Sequence, residues 1–327
     1  MRVGLLVADP AWEEARAGSA PRDRLLHSMT RQEKTVAAVR AALGALGHTA
    51  VDIRVDDGLP GALRAAGVDL VFNTYFGPGT RHDQPAVAAV MEWVGVPFSG
   101  GGAACHYVGL SKPLTKRLLV AEGLPTPRFV SGGDAASLRA AGIELPVIVK
   151  APGEGEGIGI DESSVARTDG ELAAARERIA REFATEALVE ELMPGREVTV
   201  GVIEGATPVV LPVLEVMVGQ GAVFSWATKA GESVEEVCPA ELPARQTALL
   251  GDLAVRAGRA VGCRDFWRVD FRQDARGDFR ILEVNTLPGL QPGYSDLALM
   301  IEPAGMEYGH VVGMILESAL RRGRGTG

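Results

Sequence analysis

Three oxygen-bearing side chains and one guanidinium lie in two short apolar runs in the last quarter of the sequence. The run FWRVDF (266–271) carries Arg268 and Asp270, and the run ILEVN (281–285) carries Glu283 and Asn285 among Ile281, Leu282 and Val284, which suit a sheet interior. Each pair is spaced by two, and in a strand residues i and i+2 share a face. The connecting RQDARGD holds Asp274 and Gly277, residue types that suit a hairpin loop. In a suitable register the two strands bring all four side chains to one face. Two carboxylates and an amide are hard oxygen ligands of the kind Mg²⁺ takes, and a neighbouring arginine suits a phosphate. The alternative is a buried ion-pair network, which needs its own counter-cation.

A second feature handles anions. Glycines 153, 155, 157 and 159 follow directly on Lys150, which closes the apolar run PVIVK. Such a loop frees backbone N–H groups to close over a phosphate, although no Gly-Lys-Ser/Thr follows as in a Walker A sequence. Taken alone, the loop reads as a mobile hairpin connection. Lys150 adds weight, because a half-buried lysine calls for an anionic partner. Only five of the 33 basic residues are lysine, namely Lys34, Lys112, Lys116, Lys150 and Lys229. A chain that otherwise uses arginine keeps some of its lysines where a compact point charge is needed, which nominates a few of them for phosphate contact.

These residues need elements to position them. MRVGLLVA and VDLVFNT read as buried strands. TRQEKTVAAVRAALGALG reads as a helix with Val36, Val39, Leu43 and Leu46 on one stripe, and PAVAAVMEWVG as another. This alternation predicts a small parallel α/β sheet over the first hundred or so residues. It lacks the glycine fingerprint of a dinucleotide site. Beyond it, SKPLTKRLLVAEG is a helix, ALVEEL, GREVTVGVIEG and VVLPVLEVM are strands, and 243–262 is a helix before the hairpin. The second part is α+β with mixed sheets. At 46% hydrophobic, 23% charged and a net charge of -9, the chain reads as a soluble globular protein, with neither nucleic acid nor membrane as partner. Cys105, Cys238 and Cys263 are too scattered for a disulfide framework or a zinc site and suit the cytoplasm.

The lysine closing VIVK, the glycine-rich loop, LVEELMPGREVTV, a lone lysine before CPAEL, RVDF and LEVNTLPG follow one another in a familiar order. They resemble the ATP-grasp superfamily, and within it the D-alanine–D-alanine ligase branch. VGVPFSGGG is similar to that family's passage into its central domain, so the resemblance spans nearly the whole chain. It implies an ATP-grasp fold behind an N-terminal parallel α/β domain. The expected units are 1–98, a central subdomain 99–186 with the lid, and a C-terminal subdomain 187–327 with the metal site.

The resemblance also implies roles. Lys112, Lys150 and Lys229 meet the ATP phosphates. Glu190 and the backbone of Met193 address adenine, and Glu197 the ribose; without the family these glutamates would read as a solvated strand edge. Asp270, Glu283 and Asn285 match Mg²⁺ ligands, for two ions, with Mn²⁺ as an alternative. Arg268 and the amide of Gly289 match the groups that receive the oxyanion of a tetrahedral intermediate. The implied activity joins a carboxylate to an amine of amino-acid substrates through an acyl phosphate, releasing ADP and phosphate. The implied assembly is a homodimer.

The substrate end departs from the family pattern. Glu33 in TRQE fits a capping box and stands nearest to the family's glutamate for a substrate amino group. Glu156 and Gly157 occupy the lid positions of paired serines, Ala230 replaces a tyrosine, and Phe76 stands for a histidine. Ser295 matches the serine for a substrate carboxylate if one residue is inserted. Less aromatic volume and an added carboxylate at Glu156 imply a larger substrate with an extra amino or guanidino group. Two other readings stay open: a D-alanine–D-alanine ligase proper, and an ATP-binding regulator without turnover.

Overall fold

The computed structural model describes residues 1–16, 22–77, 83–155, 157–217 and 235–324. Three sheets follow one another along the chain. The first is parallel, with β1 (Arg2–Ala8) between β2 (Thr49–Val55) and β3 (Leu70–Phe72). Its helices are α1 (Pro10–Arg16), α2 (Arg22–Ala45), α3 (Leu59–Ala65) and α4 (Asp83–Val94). β2 is a strand that the sequence reading passed over. Only Ile53 and Val55 of it are buried, so its apolar alternation is short.

α5 (Ala103–Leu110) and α6 (Lys112–Ala121) lead into the second unit. It contains β4 (Phe129–Ser131), α7 (Ala135–Ala140), β5 (Val147–Lys150), β6 (Val165–Ala166), α8 (Asp169–Phe183) and β7 (Leu188–Glu191). The strands form an antiparallel sheet in the order β4-β7-β5-β6. The boundary expected at 186/187 thus falls just before a strand that hydrogen-bonds into the middle sheet.

The last unit holds β8 (Glu197–Ile203), β9 (Val209–Val210), β10 (Leu214–Val216), β11 (Glu236–Val237), α9 (Ala244–Val261), β12 (Phe266–Gln273) and β13 (Phe279–Asn285). Two more helices, α10 (Asp296–Leu299) and α11 (Tyr308–Arg324), close the chain. The sheet runs β11-β10-β8-β12-β13, with β9 on β8. α9 buries Leu250, Leu253, Ala254, Ala257 and Val261, the three-and-four spacing of one helix face. It lies so close to β12 that a Cβ on Gly258 would sit 2.1 Å from Nε1 of Trp267.

α11 folds back onto α2. Val311, Val312 and Ile315 share one core with Val3, Val39, Leu43 and Leu70 of the first unit. Buried Asp265 fixes this return: it accepts from Gly100 N and Ser318 Oγ at 2.8 Å each, and from Arg322 at 2.5 Å. One carboxylate therefore ties the passage between units, the start of β12 and the last helix together.

Candidate active site

The hairpin forms in the register that the chemistry requires. Arg268 lies opposite Asn285, and Asp270 opposite Glu283, across β12 and β13. A β-bulge makes this possible. Phe271 pairs with Ile281, so Leu282 is an extra residue in β13. Phe279 and Ile281 point into the core; the extra residue reverses the phase, so that Val284 returns to the core while Glu283 and Asn285 turn outward. Without the bulge both polar residues would lie under the sheet. Leu282, expected in the interior, instead lines the cleft.

That cleft opens between the middle and last sheets. Its walls come from β5, β8, β12 and β13, with Gly155, Gly157 and Ile160 of the glycine-rich loop above them. Asp270 accepts from Arg268 Nε at 2.8 Å and Nη2 at 3.0 Å, from Thr199 Oγ1 at 2.6 Å and from Asn285 Nδ2 at 2.8 Å. Glu283 Oε2 lies 2.9 Å from Lys112 Nζ. Among the described residues no three Asp, Glu, His or Cys side chains form a ready metal cluster. The donor set here is two carboxylates and an amide, which is the chemistry of a hard divalent ion. Arg268 and Lys112 offset the two negative charges in this structure, and the face fits such an ion by donor type.

Arg268 is itself held between two acids. Its Nη1 lies 2.7 Å from Asp296 Oδ2, opposite its fork on Asp270. Burial alone would lower its pKa, but Asp270 and Asp296 hold it well above the ordinary value. The guanidinium is permanently charged and fixed in orientation. Gly289 lies in the turn after β13, where a Cβ would meet Ser295 Oγ at 2.5 Å. Only glycine fits beside that hydroxyl, which accepts from Gln291 N at 3.1 Å.

Under the lid, Glu190 is 1% exposed and meets two lysines, Lys150 Nζ at 3.2 Å and Lys116 Nζ at 3.5 Å. Burial would raise its pKa, yet the lysines keep it below its ordinary value. Its Oε1 is buried without a hydrogen-bond partner among the described residues. A solvated strand edge is what the neighbour Glu191 shows, paired with exposed Arg128. Lys116 is the residue that the sequence reading missed here. It is fully buried, donates to Thr126 Oγ1 at 2.8 Å, and burial brings its pKa down to about 8. The scarcity of lysine is the one signal in the sequence that points to it. Lys112 also donates to the carbonyl of Glu154 in the lid. Met193 is buried just after β7. Glu197 lines the cleft beside Arg272 at 3.3 Å, and burial pushes its carboxyl up to about 7.

Glu33 requires a correction. α2 begins already at Arg22, so Thr30 and Glu33 lie inside the helix and form no capping box. The buried stripe of α2 runs through Leu25, Gln32, Val36, Val39 and Leu43, which leaves Glu33 on the solvent face. An inward glutamate at this end is Glu13 on α1, 2% exposed and raised in pKa first by burial, with Tyr75 nearby. It follows the carboxyl end of β1, where open α/β sheets present ligands. Glu156, Lys229 and Ala230 lie outside the described residues.

A cleft between two β-sheets beneath a glycine-rich loop defines the ATP-grasp class of fold. The D-alanine–D-alanine ligase from Bacillus anthracis complexed with ATP covers 100% of both chains with a TM-score of 0.76 at 22% identity. A family model described as D-ala D-ala ligase C-terminus matches residues 126–317. The D-alanine–D-alanine ligase of Gluconobacter oxydans is 36% identical over 90% of this chain and 97% of its own. That of Desulforudis audaxviator is 33% identical over 87% and 92%. The chain belongs to the D-alanine–D-alanine ligase family.

Proposed function

We propose that the protein is an ATP-dependent ligase that joins the carboxylate of one amino acid to the amine of another through an acyl phosphate, in the cytoplasm and as a homodimer. The observation that carries this reading is the paired register of Arg268 with Asn285 and Asp270 with Glu283 at the floor of the cleft. Asp270, Glu283 and Asn285 would hold Mg²⁺, which when bound supplies charge neutralisation for phosphoryl transfer. Lys112, Lys150 and Lys229 take the ATP phosphates. Glu190 turns its unpartnered Oε1 to the amino group of adenine beside the backbone of Met193, and Glu197 faces the ribose. Lys116 holds the Glu190 carboxylate charged and in place.

A substrate carboxylate then attacks the γ-phosphate, forming its C–O–P bond as ADP leaves. The amine of the second substrate attacks the acyl carbon, and the developing oxyanion meets Arg268 and the Gly289 amide, fixed donors that need no reorganisation. Collapse expels phosphate, and the amine loses a proton. The glycine-rich lid keeps water from the acyl phosphate. Glu13 takes the amino-group role that Glu33 cannot fill from the solvent face.

D-alanine–D-alanine ligation itself is the second reading, favoured by what the relatives are named. ADP release measured over a panel of amino acids, singly and in pairs, separates the readings. Release with D-alanine alone above all other substrates selects the narrower one. ATP binding without substrate-dependent release selects a regulator and overturns both.

A further inference from the structure

α2 brings a second guanidinium to the oxyanion turn, and the assigned machinery makes no use of it. Arg31 lies between two aromatic rings, its Cζ 5.1 Å from the centroid of Tyr294 and 6.0 Å from that of Phe76. Its Nη2 is 3.4 Å from the point where a side chain on Gly289 would begin, and Ser295 Oγ is 2.5 Å from the same point. One turn earlier on α2, His27 Nε2 lies 3.1 Å from the Tyr294 hydroxyl, which fixes that ring against the helix. A planar cation, framed by rings and next to a hydroxyl, is a receptor for a carboxylate.

We propose that Arg31 is a specificity-determining residue that binds a carboxylate of the amine-supplying amino acid. This rests on the ligase reading above. Gly289 faces the carbonyl under attack, so the attacking amine stands beside it and the rest of that molecule extends towards Ser295 and Arg31. The anionic group is either its α-carboxylate or a side-chain carboxylate. A side-chain carboxylate would oppose the expectation, drawn from Glu156, of an extra cationic group on the substrate; an α-carboxylate is compatible with it. Phe76 and Tyr294 hold the guanidinium plane, so lysine at 31 supplies charge without the fork.

The experiment is ADP release by wild type, Arg31→Met and Arg31→Lys, with a fixed acid substrate taken from the panel. The amine probes are alanine beside alaninamide, and glutamate beside glutamine, in both chiralities. Wild type should favour the carboxylate-bearing member of at least one pair. Arg31→Met should raise its KM about tenfold or more, leaving kcat and the KM of the uncharged member nearly unchanged. Arg31→Lys should fall between. Loss of the alanine–alaninamide preference identifies the α-carboxylate; loss confined to glutamate against glutamine identifies a side chain. Unchanged ratios in both pairs overturn the proposal, as does an equal fall in kcat for every amine, which would make Arg31 an oxyanion or structural group. ATP affinity and thermal midpoint report folding, and if Arg31→Met fails to fold, the ratios in Arg31→Lys decide. Absence of amine-dependent release in wild type overturns the ligase reading itself, before any variant is compared.

Discussion

The floor of the cleft and the substrate end are built by different devices. The floor is strand-made: Arg268, Asp270, Glu283 and Asn285 come from two adjacent strands joined by a tight loop, and each meets its partner across the ladder. The substrate end is assembled from a helix, a turn far along the sequence and the segment after β3, with Arg31, Tyr294 and Phe76 meeting from three elements. Alternation by two puts Arg268 with Asp270 and Glu283 with Asn285 on shared faces, so a short stretch of sequence suggests the floor, and the bulge at Leu282 completes its register. A helix face depends on where the helix starts and what covers it, neither of which is local.

The largest expected effect tests the floor. Glu283→Gln keeps the shape and removes one negative charge from the metal face. Loss of residues that merely orient metal ligands commonly costs about ten- to a hundredfold in activity, so removing a ligand's charge should cost more than about a hundredfold. ADP release measured against Mg²⁺ concentration checks it, with an unchanged thermal midpoint showing that the fold survives. Full activity with ordinary Mg²⁺ dependence would remove Glu283 from the site.

A middle-sized effect compares two lysines. Lys150 closes β5 in the cleft, whereas Lys34 lies on the solvent face of α2. Lys150→Ala removes a charged hydrogen bond worth about 1.5–3 kcal/mol, and should weaken ATP binding about ten- to a hundredfold. Lys34→Ala should stay within about twofold. Calorimetric titration with ATP measures both. Equal effects would undo the link between scarce lysine and phosphate contact.

The same contrast explains what could be read in advance. The parallel first sheet, the hairpin, the helix over 244–261 and the lysine at the end of β5 follow from periodicity and from turn residues, which act over a few positions. The bulge at Leu282 was hidden: it depends on register against β12, and the sequence alone made Leu282 a core residue. Lys116 on α6 is not legible locally because its partner Glu190 arrives from β7, many residues away. Glu33 was misplaced because TRQE satisfies a capping rule that α2 overrides. Leu25 extends the buried stripe towards the N-terminus, so burial prolongs the helix past its apparent start.

The smallest expected effect closes the comparison at the substrate end. Glu33 and Glu13 are both glutamates of the first unit, and only their surroundings differ. Glu33 is exposed on α2; Glu13 is buried on α1, with Tyr75 beside it and Asp9 and Asp83 near enough to raise its pKa further. A buried carboxylate among acids gains from a ligand's ammonium group, whereas an exposed one is already satisfied by water. Glu33→Ala should therefore leave every kinetic constant within about twofold. Glu13→Gln is its control: it should raise the KM for the acid-side amino acid and spare ATP affinity. KM measured for both variants at saturating ATP decides between them. If Glu33→Ala raises KM and Glu13→Gln does not, α2 turns its outer face to substrate, and the helix start, not the buried stripe, was the correct guide.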